Sequence, residues 1–365
     1  MKIECSVEKI KNAISQTERV TGKNLTLPVL NSILLIATDK RLKLRATNLS
    51  LGVEIEVPAK VEKEGIVAVS GAVLNAMFSN FSHNESIHLE DKSGNLLVRT
   101  NKSQITLKGQ PHEDFPTIPI VSGRTFEIDS KKLTEGIKSV YYSSSVSDIK
   151  PEISSVFVYT NGDNLVFVST DSFRLAEKKI KIKGVEDITG IIIPWKNVVE
   201  ILRILGEVSG VVKVCFNKNQ ISFSVDNIYL TSRVIDGIFP DYRQIIPKDF
   251  STEIVALKQD LLNALKLSNV FSDKFNQVNL VVDPKQKIFE LSSMNNDVGE
   301  NKTRVDAVLK GESAELGFNY KYFLDCLQSI TTDSVSIKMS GTGRPMVISA
   351  VSDPSFTYLI MPMNK

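Results

Sequence analysis

The hydrophobic positions of this chain switch repeatedly between a period of two and a period near three and a half, the signatures of half-buried strands and amphipathic helices. The first third opens with a strand-like stretch, 2–5. A helix follows over 6–20, with Ser6 at its start and Val7, Ile10 and Ile14 at helical spacing. Alternating runs at 32–37, 41–48 and 52–57 predict strands. A strand at 66–69 feeds a helix over 70–81, with Ser70 as cap and Val73, Ala76, Met77 and Phe81 on one face. Three further strands are expected at 86–90, 95–100 and 104–108, separated by glycine- and asparagine-containing turns.

The same order then recurs twice. In the middle third, a strand at 125–128 leads into a helix over 130–142 bearing Leu133, Ile137 and Tyr141. Strands follow at 154–159, 164–170 and 174–182. A short run at 191–193 leads to Pro194, a residue suited to a helix start, and to a helix over 194–205. Strands at 211–216, 220–225 and 229–235 close the copy. The last third has a strand at 252–256, a helix over 257–271, and strands at 279–282, 288–292, 303–309 and 315–318. A helix over 319–330, capped by Asn319, and strands at 334–339, 345–350 and 356–361 complete it.

The landmarks keep register. Phe115-Pro116 and Phe239-Pro240 lie 124 residues apart, each inside a proline-bearing segment that ends one copy and precedes the next. Thr47-Asn48 and Thr170-Asp171 lie 123 apart, and the starts of the second helices, Ser70, Pro194 and Asn319, are spaced by 124 and 125. The chain therefore reads as three tandem copies of one two-helix, antiparallel-sheet domain, 1–120, 121–248 and 249–365, an α+β fold. Three copies in a row leave a free edge at each end, and two chains joined head to tail into a ring would remove both.

Charge refines this picture. The net charge of +2 alone predicts no partner, but the six helical stretches together carry +5 and leave −3 on the remainder. A basic helical face suits a polyanion held by sequence-independent, salt-sensitive phosphate contacts. Apolar runs fall far short of the roughly 20 residues of a membrane helix, and the first ten residues lack the apolar core of a signal peptide. Cys5, Cys215 and Cys326 are odd in number and widely spaced, as expected of free thiols in a reducing cytoplasm. Nothing calls for a cofactor or a metal: there is no GxxxxGK phosphate loop, and His83 with His88 lacks nearby cysteine ligands. Asp171 beside Ser172 offers a hydrolase-like pair, but all three histidines, His83, His88 and His112, lie in the first copy. No catalysis is expected.

Several stretches together resemble the bacterial sliding-clamp family, the beta subunit of DNA polymerase III. They are TLPVL at 26–30, STDSFRLA at 169–176, DGIFPDYR at 236–243, GFN at 317–319 and the terminal MPM at 361–363. The likeness runs the length of the chain. It implies a homodimeric ring of six like domains, helices lining the hole, that encircles duplex DNA and acts as a processivity factor in the cytoplasm, at the nucleoid. Partners implied are the polymerase III alpha subunit, an ATP-driven clamp loader, and other polymerases and repair proteins carrying a clamp-binding motif. A repeat scaffold that binds peptides without encircling DNA is the alternative from a different class.

By motif position the resemblance implies a hydrophobic peptide pocket. Its members are Ile153, the turn residues Thr170, Ser172, Phe173, Arg174 and Leu175, and Pro240, Gln244 and Ile245 from the second linker. Phe275, Asn319, Tyr322 and Met346 from the third copy join the terminal Leu359, Ile360, Met361, Pro362 and Met363. Methionines suit such a pocket because they repack around different guests. Ser172 stands where many relatives have glycine, and Gln244 where a basic residue is common. For DNA the expected contacts are Lys23, Asn24, Lys138, Lys150, Lys196, Arg203 and Lys266, with Asn24 replacing a frequent arginine. At the dimer seam, Ile105 and Leu107 are expected to face Val270 and Phe271 of the other chain.

Overall fold

The computed structural model describes residues 1–22, 26–82, 86–185 and 187–363. Lys23, Asn24 and His83 lie outside the described residues. Six α-helices form: α1 (Val7–Glu18), α2 (Gly71–Ser79), α3 (Ser130–Lys138), α4 (Trp195–Leu205), α5 (Lys258–Val270) and α6 (Tyr320–Leu327). Each falls within a span predicted from helical spacing. Every strand pairing is antiparallel. Among the described residues no helix is long and apolar enough to cross a membrane.

Two compact units result. One combines Met1–Lys131 with Val199–Asp236, the other Lys132–Val198 with Gly237–Lys365. The strands explain why the middle repeat contributes to both. In the first unit, a nine-stranded sheet runs Gly109–Gln110, Gly65–Ser70, Ser32–Thr38, Arg41–Thr47, Leu51–Pro58, Ile228–Arg233, Gln220–Val225, Val211–Phe216 and Arg124–Asp129. The last strand of the middle repeat, Ile228–Arg233, thus pairs with Leu51–Pro58 of the first. In the second unit the counterpart is Asp353–Ile360 on Arg174–Lys181, within a sheet that runs from Ile191–Pro194 to Ala307–Gly311. One pairing rule, used twice, joins successive repeats.

The two smaller sheets are complementary halves of that plan, and among the described residues each ends in an open edge. The five-stranded sheet of the first unit ends at Gln104–Leu107, and the four-stranded sheet of the second ends at Gly299–Arg304. Helices pack against the sheets. α1 and α2 pack together, as do α5 and α6, with Ile10, Ile14, Leu74, Phe78, Leu261, Leu265, Phe323 and Leu327 buried. Full burial of each such side chain contributes about 1.5–3 kcal/mol. α3 approaches its sheet closely enough that only Gly136 fits, since a Cβ there would lie 2.3 Å from the Phe167 ring.

Some expectations are corrected. Ser6 and Ser70 make no side-chain cap, whereas Asn319 does, accepting from the Lys321 amide at 3.0 Å. Pro194 ends a strand and α4 starts one residue later. The strand expected over 303–309 is two, Gly299–Arg304 and Ala307–Gly311, because the chain leaves one sheet for another there. Lys60–Lys63, all polar but for Val61, carries no alternation and still pairs with Lys2–Ser6.

Candidate functional site: a turn, a terminal strand and a linker

The site begins with a three-residue turn, Asp171–Phe173, between two strands of the second unit. Thr170 Oγ1 donates to the Arg174 carbonyl at 2.6 Å and accepts from the Ser172 amide at 3.2 Å. Asp171 Oδ1 accepts from the Phe173 and Arg174 amides at 3.0 and 2.9 Å. These local bonds are what Thr and Asp side chains supply in place of ladder pairing. Ser172 takes φ 78°, and Phe173 is turned outward with 62% of its surface exposed.

The final strand, Asp353–Ile360, lies alongside, with Arg174 opposite Ile360 and Leu175 opposite Leu359. Past its end the Met361 amide donates to the Phe173 carbonyl at 2.8 Å, and the Met363 amide to the Gly317 carbonyl at 2.8 Å. These bonds tie the last described residues to the turn on one side and to the strand Ala314–Asn319 on the other. Met361, Pro362 and Met363 stay half-exposed.

The second linker supplies the third wall. Phe239 stacks on Phe157 at 4.8 Å, and buried Tyr242 donates to Glu177 and lies 2.7 Å from the Tyr159 hydroxyl. Burial and the Glu177 acceptor push the Tyr242 phenol well above its usual pKa, so it remains a donor. Thus pinned, the one-turn helix Tyr242–Ile245 presents Gln244 and exposed Ile245. They line a cavity of about 600 Å³ with Ile246, Pro247, Pro345, Arg344, Ser340 and Met361.

Not every predicted pocket residue offers surface. Leu175, Met346, Leu359 and Ile360 are buried to 2% exposure or less, and Thr170 to 7%. In the terminal strand Tyr358, Leu359 and Ile360 are buried in succession, so this stretch does not alternate between a covered and an open face. These residues form the floor. Arg174 is also turned inward. Its guanidinium binds Asp171 at 2.9 Å, Asp325 at 2.5 Å and the Tyr142 carbonyl at 2.5 Å, and sits 4.4 Å from the Tyr322 ring centroid. Burial opposes its charge, but Tyr358, Asp325 and Asp171 more than offset that and raise its pKa. Arg174 and Tyr322 therefore brace the turn rather than present a free cation.

The remaining members scatter. Pro240 lines a separate cavity of about 560 Å³ with Phe157, Tyr159 and Arg243. Ile153 sits in a loop tied to Ser145 and Lys150 by backbone bonds. Phe275 is exposed on the loop whose Asn276 carbonyl accepts from the Tyr320 amide beside Asn319. Asp171, weighed as half of a hydrolytic pair, has both oxygens committed to the turn and to Arg174. Sequence reasoning missed Tyr142, Asp325, Tyr242 and Arg344. Asp325 follows Tyr322 by three residues on α6, one helical face, the sole local hint of a shared role.

The described cations expected at DNA, Lys138, Lys150, Lys196, Arg203 and Lys266, are all exposed. Lys196 pairs with Asp148 at 2.5 Å and Arg203 with Glu200 at 2.7 Å. Such exposed pairs hold only about 0–1 kcal/mol, so a phosphate can displace them. At the two open edges, Ile105 and Leu107 are half-buried and Val270 is 61% exposed. The end of α5 is tied to the Gly299–Arg304 edge by Asn301 on Ser268, and the residues just past it to the neighbouring strand by Asn295 on the Ser272 carbonyl.

Comparison with known proteins fits this geometry. Family models for the DNA polymerase III beta subunit match in three consecutive parts: the N-terminal domain over residues 1–119, the central domain over 127–241 and the C-terminal domain over 243–364. The beta sliding clamp of Synechococcus elongatus is 28% identical over all of this chain and 99% of its own. That of Staphylococcus aureus is 26% identical over 96% of both. Among solved structures, the DNA polymerase III beta subunit of Thermotoga maritima superposes with a TM-score of 0.93 at 25% identity, covering 100% of this chain and 99% of that one. The sliding clamp of Pseudomonas aeruginosa bound to griselimycin gives 0.94 at 25% identity with full coverage of both.

Proposed function

The chain belongs to the DNA polymerase III beta-subunit family, and on that premise we propose how it closes, what it holds and what it tethers. It is a sliding clamp, a processivity factor of DNA replication. Its three domains span about 1–120, 121–248 and 249–365, and two chains close head to tail into one ring.

The observation that carries the ring is the pairing rule. The strand after the turn in the first repeat accepts the last strand of the second, and the strand after the turn in the second accepts the last strand of the third. The third repeat's counterpart, Gly299–Arg304, has an open edge among the described residues, and so has Gln104–Leu107, the first repeat's counterpart of those last strands. The same rule applied between chains pairs these two edges and brings Ile105 and Leu107 towards Val270 and Phe271. Closure also hides two edges that would otherwise template aggregation.

Within the ring, Lys138, Lys150, Lys196, Arg203 and Lys266, together with Lys23 and Asn24, hold duplex phosphates without reading bases. The groove between Phe173, Ile245 and Met361 takes apolar side chains of partner peptides, foremost from the polymerase III alpha subunit and the clamp loader. Two seated apolar side chains give about 1.5–3 kcal/mol each, and a few hydrogen bonds about 1 each. After association costs this leaves a micromolar contact, about −8 kcal/mol. Such a contact releases partners readily, while topology keeps the ring on DNA.

The test is retention. Protein loaded onto a nicked circle by an active loader with ATP is washed at high salt, and the circle is then linearised. Release only on linearisation is expected. Loss during the wash would exclude encirclement and favour the scaffold. Leu107→Arg is expected to convert a dimer to monomers in sedimentation velocity, and an unchanged dimer would remove the seam from the Gln104–Leu107 edge.

A further inference from the structure

The first unit contains a second groove built on the same plan. Thr47 Oγ1 donates to the Leu51 carbonyl at 2.8 Å and accepts from the Leu49 amide at 3.0 Å, and Asn48 Oδ1 accepts from the Ser50 and Leu51 amides at 3.0 and 2.8 Å. Leu49 has φ 73°. The Arg233 amide donates to the Ser50 carbonyl at 2.8 Å, as the Met361 amide does to the Phe173 carbonyl. The first linker closes the hollow with Pro116, Thr117, Ile118 and Pro119, leaving a cavity of about 240 Å³.

Two features of this cavity are unspent. Leu49 on its rim is 44% exposed. The exposed guanidinium of Arg233, where the other groove has Met361, makes no ion pair among the described residues. The charge is positive and the volume suits one or two side chains.

We infer that this cavity is a second docking site, for a short extended peptide in which an acidic residue adjoins an aliphatic one. The carboxylate meets Arg233, and the aliphatic side chain lies on Leu49 and Ile118. The inference rests on the reading of the larger groove as a peptide site, because the two share one backbone plan. It differs in ligand class: the larger groove selects bulky apolar residues, the smaller one an acid.

The experiment uses the full-length dimer and two fluorescein-labelled peptides in anisotropy titrations. One is Gly-Leu-Asp-Leu-Gly and the other carries a Leu-Phe pair without an acid. Saturable binding of the acidic peptide is expected, weakened at least fivefold by Arg233→Gln and by Leu49→Asp and unaffected by Phe173→Ala. Replacing its Asp by Asn should weaken it equally and leave Arg233→Gln without further effect. Absence of saturable binding, indifference to Arg233→Gln, or a loss that follows Phe173→Ala would each overturn the second site. The Leu-Phe peptide, read against Phe173→Ala, reports the larger groove separately, so failure of that reading is seen on its own.

Discussion

The turns at 47–51 and 170–174 have the same backbone and different consequences. Threonine, then Asn or Asp, then a residue near φ 75° bond the chain identically in both. Each hands its following strand to the last strand of the next repeat. Side chains alone separate them. Where the second turn has exposed Phe173, inward Arg174 and neighbouring Met361, the first has Ser50, buried Leu51 and Arg233. A repeat can therefore conserve a joint while its surface chemistry diverges, since the joint depends on backbone bonds and the surface does not.

The largest test of that view removes the acceptor. Asp171→Ala deletes two backbone bonds and a partner of buried Arg174, and is expected to cost about 3 kcal/mol. Asn48→Ala deletes the two backbone bonds only and should cost about 1–2 kcal/mol. Urea midpoints compare them, and equal losses would deny Arg174 a bracing role. Next, Met361→Arg makes the larger groove resemble the smaller. Its affinity for the Leu-Phe peptide should fall about tenfold, equivalent to about 1.4 kcal/mol. Thr47→Val and Thr170→Val should then lose about 1 kcal/mol each, alike in both turns. If one loses far more, the turns are not equivalent.

Smaller effects sharpen the contrast further. Ser172→Gly relieves the left-handed backbone and should stabilise by up to about 1 kcal/mol. Leu49→Gly gains the same relief but gives up contact surface, and should come out near zero. Smallest is an acid effect confined to the strands flanking the first turn. Hydrogen bonds from Lys43 and Arg41 hold the Glu56 carboxyl below its usual pKa. Its contribution is thus complete above the ordinary carboxylate range and fades as pH falls through the lowered folded value. Being near the surface, it is worth under about 1 kcal/mol. Hydrogen exchange in Arg41–Thr47 between pH 6 and 3 should lose protection less steeply in Glu56→Gln. An unchanged slope would place the acid sensitivity elsewhere.

The repeat is legible along the chain: the helix positions, most strands, the two linkers and the antiparallel class follow from periodicity and proline placement, which act over a few residues. Resemblance to the clamp family grouped the turn with the terminal strand, and a bond from the Met361 amide to the Phe173 carbonyl joins the two. Which way side chains face, and which partners they take, emerges only in the folded chain. A strand pattern at 356–361 does not say that Tyr358, Leu359 and Ile360 are all buried in succession, as they are once packed. Arg174, expected in the pocket, is taken by Asp325, 151 residues away. The change of sheet inside 299–311 and the anchoring of the linker by Tyr242 on Glu177 likewise join residues far apart in the chain. Local spacing encodes the period of an element. Burial on a second face and long-range pairing arise only when elements meet, and no single stretch of chain holds that information.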